Sequence, residues 1–189
     1  MPSKSHLCFS HTLLLCLCGE RKSSYICNRT VTKKIVMQTT TIFARAAMLI
    51  RRPAPEAFEA FVNPAITTKF WFTKSSGRLE AGKQVKWDWQ MYNVSSLVDV
   101  KTIEENKLII FEWPVNNEPT TVEWIFTPLT ADTTFVEITN KGTTATSDAL
   151  VELAMGITAG FTMVLAATKA LLEHGIILTL VADRFPAGK

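Results

Sequence analysis

A chain of 189 residues, 47% hydrophobic and 20% charged, is long enough for one domain with its own core, and its composition is globular rather than disordered. The formal charge of +3 is unevenly spread: Lys4, Arg21, Lys22, Arg29, Lys33 and Lys34 oppose a single acid, Glu20, before Met37, and acids outnumber bases from there on. A basic nucleic-acid-binding surface is thereby excluded from the main body of the chain. Cys8, Cys16, Cys18 and Cys27 all precede Met37, which excludes a disulfide framework or a His/Cys metal site from the rest of the chain.

Residues 1–38 are set apart as a leader, and residues 39–189 as the domain. The leader has three readings. One is a secretory signal with its apolar stretch at Leu13–Leu17, although polar Gly19-Glu20-Arg21-Lys22 comes next, where small residues are expected. Another is a lipoprotein signal ending at Cys16, which the bulky Leu15 disfavours. The third is a translation start placed too far upstream, with Met37 the true beginning; the abrupt change of composition there favours it. A cytoplasmic location is expected, with export as the alternative if residues 1–36 are a genuine signal.

Thr40–Ile50 is β-branched and apolar and predicts a strand, stopped by Arg51-Arg52-Pro53. Pro55 and Glu56 suit the first turn of a helix, in which Ala57, Phe58, Phe61 and Val62 recur at helical spacing. Asn63-Pro64 breaks it, because the residue before a proline is pushed out of the helical region. A second short helix is expected over Ala65–Phe70. From Gly77 the period becomes two: Val85, Trp87, Trp89 and Met91 alternate with Lys86, Asp88 and Gln90. Asn93 marks a turn into a strand over Ser95–Ile103. After Glu104–Lys107 come strands at Leu108–Trp113, Thr120–Thr127 and Thr133–Asn140, joined through Pro114–Pro119 and Leu129–Asp132. Short strands with turn signals between them make an antiparallel meander.

A long helix closes the pattern, capped by Ser147 or Asp148 and stopped by Gly175. Leu150, Leu153, Ala154, Ile157, Phe161, Val164, Leu165, Thr168 and Leu172 form one wide apolar stripe. At ~1.5 Å per residue such a helix is about 40 Å long, enough to run along a curved sheet. Leu153–Thr168 carries no charge, yet a membrane span needs about 18–20 apolar residues, and this stretch holds two glycines and three threonines. A helix buried in its own domain is the expectation, with no membrane span. Ile176–Phe185 reads either as a helical continuation or as an extended tail.

The order of these elements, with Pro55-Glu56-Ala57-Phe58-Glu59-Ala60-Phe61-Val62-Asn63-Pro64, Lys69-Phe70-Trp71 and Phe111-Glu112-Trp113, resembles the START-like, or helix-grip (SRPBCC), superfamily. Within it the chain is similar to the group named after the activator of the heat-shock-protein-ninety ATPase, with Phe70-Trp71 where many members have Trp-Trp. The resemblance covers about residues 39–172. It implies an α+β fold: a curved antiparallel sheet wrapped around a long C-terminal helix, with two short helices after the first strand. The superfamily includes lipid carriers, hormone receptors, polyketide cyclases and co-chaperone domains, so function must come from the site.

Chemistry-bearing residues are sparse. His174 is the lone histidine after Met37 and sits where it complements the helix dipole. The glycines fit no phosphate-binding loop. Glu112, Glu123 and Glu137, with Asp88 between two tryptophans, are the acid–base candidates. Alternation places them on a solvated convex face; the sharper reading turns one glutamate into a cavity as a base or ligand anchor. The aromatic load is the strongest functional signal. Phe70, Trp71, Trp87, Trp89, Phe111, Trp113, Trp124 and Phe126, with Ile157, Phe161 and Leu165 on the long helix, are the candidate walls of an apolar ligand pocket, although core packing explains much of the same pattern. Gly156 and Gly160 cost about 1 kcal/mol each against alanine in a helix, so either a ligand or the sheet is expected close to them. No cofactor and no metal is expected. The expected partner is an apolar small molecule, lipid-like or aromatic, bound without catalysis. A cyclase or hydratase using an inward carboxylate is the first alternative, and a chaperone-binding module the second.

Overall fold

The computed structural model describes residues 42–142 and 147–186, with the side chains of Ile42, Phe43 and Ser147 excepted. All of them belong to one unit spanning Gln38–Lys189. The leader readings and the start of the first strand lie outside the described residues.

Seven strands form one antiparallel, curved, open sheet. In chain order they are β1 (Ile42–Ile50), β2 (Lys74–Ser75), β3 (Gln84–Trp89), β4 (Val94–Glu104), β5 (Leu108–Val115), β6 (Glu118–Thr130) and β7 (Thr133–Lys141). Their spatial order is β1-β7-β6-β5-β4-β3-β2, so the meander β3–β7 is completed by β1 returning alongside β7. Register follows the hydrophobic alternation, since a slip of one residue would turn every apolar side chain outward. Ala46, Ile138, Trp124 and Ile109 accordingly align across four strands on the inner face, and all are buried.

Among the described residues four helices accompany the sheet: α1 (Ala54–Val62), α2 (Pro64–Thr67), α3 (Ser147–His174) and α4 (Leu180–Asp183). Asn63 ends α1 in an extended conformation, and its side-chain carbonyl accepts from the Ala65 amide at 3.0 Å, capping α2. Phe58 and Phe61 of α1 meet Phe126 and Trp124 on the inner face, with centroids at 5.4 and 4.5 Å. The two short helices therefore fill one end of the concave side.

The other end is governed by α3, which lies beside β1. Phe161, Val164, Leu165, Ala167 and Thr168, in its C-terminal half, are buried. Its N-terminal half is only half covered, and Val151 and Met155 are exposed. By length and composition α3 could cross a membrane, but its C-terminal half lies in the domain core. It opens at Ser147 with Asp148 in the first turn. Gly175 ends it in the left-handed region (φ 67°), donating to the Leu171 carbonyl at 2.9 Å; a side chain would be strained there.

Four local expectations change. The second helix is shorter than Ala65–Phe70. Met91 belongs to a single 3-10 turn, Gln90–Tyr92, rather than to the strand. Between β5 and β6 the strands run through the prolines, and only Asn116 and Asn117, both with positive φ, form the turn. Beyond Gly175 the chain is neither a continued helix nor wholly extended: it crosses back over the domain and forms the single turn α4.

Candidate functional site

At the end of the sheet left open by α1 and α2 there is a cavity of about 410 Å³. Trp71, Trp113 and Phe161 line it from the core side. Trp71, buried just after α2, touches Trp87 and Trp124 at 4.9 and 5.4 Å and reaches toward Trp113 at 6.3 Å. Trp113 lies nearly parallel to Phe161 of α3, with centroids 6.0 Å apart and planes 16° from each other. Period-two alternation explains this wall: Trp113 follows Phe111 onto the inner face, while Glu112 between them points away.

The β3–β4 connection makes a second wall with Trp89, Tyr92, Val94 and Ser96. Gly156, Ile157, Gly160 and Val164 of α3 make the third. The C-terminal tail closes the fourth side with Val181, Arg184 and Phe185. It is held by named contacts. Tyr92 donates its hydroxyl to the Val181 carbonyl, and its ring meets Phe185 edge-on at 5.7 Å. Arg184 donates to the Gly156 carbonyl at 2.9 Å, and its guanidinium stands 5.1 Å from the Phe185 ring centre.

Of the two helix glycines, Gly160 has a visible purpose. A Cβ at Gly160 would come within 3.0 Å of the Arg184 guanidinium, whereas one at Gly156 would meet nothing within 4 Å. It is a tail arginine that comes close, neither the sheet nor main chain.

Among the sequence-derived candidates, Trp71, Trp89, Trp113, Ile157 and Phe161 line the cavity. Phe70, Trp87, Phe111, Trp124, Phe126 and Leu165 are instead buried in the core beneath it. Glu112 pairs with Lys101 at 2.9 Å, Glu123 with Lys141, and Glu137 with Arg45. All three lie on the outer face, alternating with inward apolar neighbours, and none lines the cavity. Asp88 also faces outward, where the hydrogen bond from Lys86 at 3.0 Å holds its carboxyl below the usual range. His174 is exposed in the last turn of α3, away from the cavity. Among the described residues no cluster of three metal-ligating side chains occurs.

Tyr92, Ser96, Arg184 and Phe185 were not singled out by sequence. Two signals were present: an isolated tyrosine at a turn, and an Arg-Phe pair closing an apolar tail. Neither says which wall it completes.

A sheet gripping a C-terminal helix, with an aromatic hollow between them, defines the START-like, helix-grip class. Within that class the chain belongs to the family described as "Activator of Hsp90 ATPase homolog 1-like protein", whose profile matches residues 51–173. Protein SSP2350 from Staphylococcus saprophyticus is 30% identical, with a TM-score of 0.61 over 71% of this chain and 93% of that one. The Aha1 dimer from Colwellia psychrerythraea shares the fold at 18% identity, with a TM-score of 0.60 over 70% and 96% of the two chains. The di-domain ARO/CYC protein BexL of the BE-7585A biosynthetic pathway does so at 15% identity, with a TM-score of 0.61 over 69% of this chain and 46% of its own. No curated protein matches by sequence.

Proposed function

We propose that the protein binds an apolar small molecule, lipid-like or aromatic, in the cavity between the sheet, α3 and the C-terminal tail, and that its role is binding rather than catalysis. The observation that carries this reading is the hollow itself. At about 410 Å³ it exceeds an engineered cavity of about 150 Å³ that admits benzene, and it falls within the ~300–1,000 Å³ of ordinary ligand sites. Its walls are ring faces and bare helix backbone, with few polar atoms to fix orientation, which is the composition an apolar ligand requires. The lining offers no carboxylate or imidazole among the described residues, so the reading stops at binding.

A fluorescence titration with the neutral dye N-phenyl-1-naphthylamine tests it. One dye per protein, with saturable enhancement, is expected. A linear, unsaturable response would refute the proposal.

A further inference from the structure

Among the described residues Arg184 is the one charged side chain on the cavity wall. Burying part of a guanidinium against apolar surface is costly unless its donors are matched. Five N–H bonds form its rigid fork, and the Gly156 carbonyl takes one. Among the described residues no carboxylate forms an ion pair with Arg184. Neighbouring Asp183 instead accepts from the Thr179 hydroxyl.

The rest of the lining adds no charge that would compete with a ligand for these donors. The Tyr92 hydroxyl already donates to Val181. A ligand that brings negative charge would match the donors of Arg184 that Gly156 leaves free.

The walls also specify a shape. Trp113 and Phe161 present a nearly parallel pair of rings, with Trp89 and Phe185 on other sides. On the same helix as Phe161, Gly156 leaves the cavity wall without a side chain, and Arg184 lies against Gly160. A flat body fits between ring faces and bare backbone better than a branched one.

We propose that the cavity takes a planar aromatic molecule carrying one anionic group, a carboxylate or sulfonate, seated against the Arg184 guanidinium. This rests on reading the hollow as a binding site and adds the class of ligand. A guanidinium is weakly hydrated and presents two parallel donors to such an oxyanion, so it suits a site with little water.

The experiment compares two dyes with nearly the same aromatic body: anionic 8-anilinonaphthalene-1-sulfonate and neutral N-phenyl-1-naphthylamine. Each is titrated into the full chain, wild type and Arg184→Gln. The substitution is expected to weaken the anionic dye about tenfold or more beyond any loss it causes for the neutral dye. Raising salt from about 50 to about 500 mM is expected to weaken the anionic dye alone, because only its contact with Arg184 is screened. Equal loss of both dyes would assign Arg184 to holding the tail and overturn the anionic class, leaving the cavity as an apolar site. Unchanged affinity of both would overturn it as well. Binding of neither dye to wild type would bring down this proposal and the binding reading together.

Discussion

Replacing Gly156 with leucine separates a cavity kept open for a ligand from a packing fault. Glycine in a helix interior is about 1 kcal/mol less favourable than alanine, and leucine is close to alanine on that scale. A Cβ at position 156 meets nothing within 4 Å, so the first carbon is accommodated, the further carbons of leucine extend toward the cavity that Gly156 lines, and the backbone carbonyl that accepts from Arg184 stays in place. Gly156→Leu is therefore expected to stabilise the fold by about 1 kcal/mol, raising Tm by about 2–4 °C for a protein of this size. The same side chain stands on the cavity-lining stripe with Gly160, so affinity for N-phenyl-1-naphthylamine should fall about tenfold or more. Gly156→Ala serves as the control, with a similar gain in stability and at most about a threefold loss of affinity. Urea unfolding and dye titration on the same preparations supply both numbers. A leucine variant destabilised by more than about 1 kcal/mol, or one that binds the dye as wild type does, would refute the reasoning.

Two further expectations concern parts of the fold away from the cavity mouth. Glu173 is nearly buried; burial pushes its carboxyl pKa up, but Lys169, the Arg51 amide at 2.6 Å and the Arg51 guanidinium outweigh that and hold it below the ordinary 4.5. A lowered folded-state pKa means stabilisation that is full above the ordinary value and lost as pH falls through the folded one. Glu173→Gln should accordingly cost about 1.5–3 kcal/mol at neutral pH, with the difference from wild type narrowing below pH 4.5 in urea titrations. Asn117→Val should cost about 1–2 kcal/mol by the same measurement, because φ at that position is 64° and a β-branched side chain is strained in the left-handed region.

The architecture was legible in the sequence where one physical rule acts alone. Alternation of Val85, Trp87 and Trp89 with charged neighbours gave a strand and its inner face, and Asn63-Pro64 gave the end of α1. Legibility failed where tertiary pairing overrode a local signal. Pro114 and Pro119 suggested a loop, yet they face each other across β5 and β6. Their pair adjoins the one that closes the two-residue Asn116-Asn117 turn, so by alternation it is a non-hydrogen-bonded position, where neither missing N–H breaks the ladder. Position along a strand also could not distinguish Trp113, which lines the cavity, from Phe111, which lies two residues away in the core. That difference depends on where α3 stops covering the sheet. The tail contributions of Val181, Arg184 and Phe185 were invisible for the same reason: only the folded chain shows that residues after Gly175 return to meet Tyr92. The pair Gly156 and Gly160 did carry a signal, an unfavourable residue repeated on one helix face, but not what would approach it.

The indole N–H resonances of the five tryptophans test the central claim most directly. With 15N-labelled protein and N-phenyl-1-naphthylamine, the signals of Trp89 and Trp113 are predicted to shift in saturable one-to-one fashion, while those of Trp87 and Trp124, buried beneath the cavity, stay nearly fixed. Saturable shifts absent from Trp89 and Trp113, or confined to residues beside exposed Val151 and Met155, would place the ligand elsewhere and contradict the account.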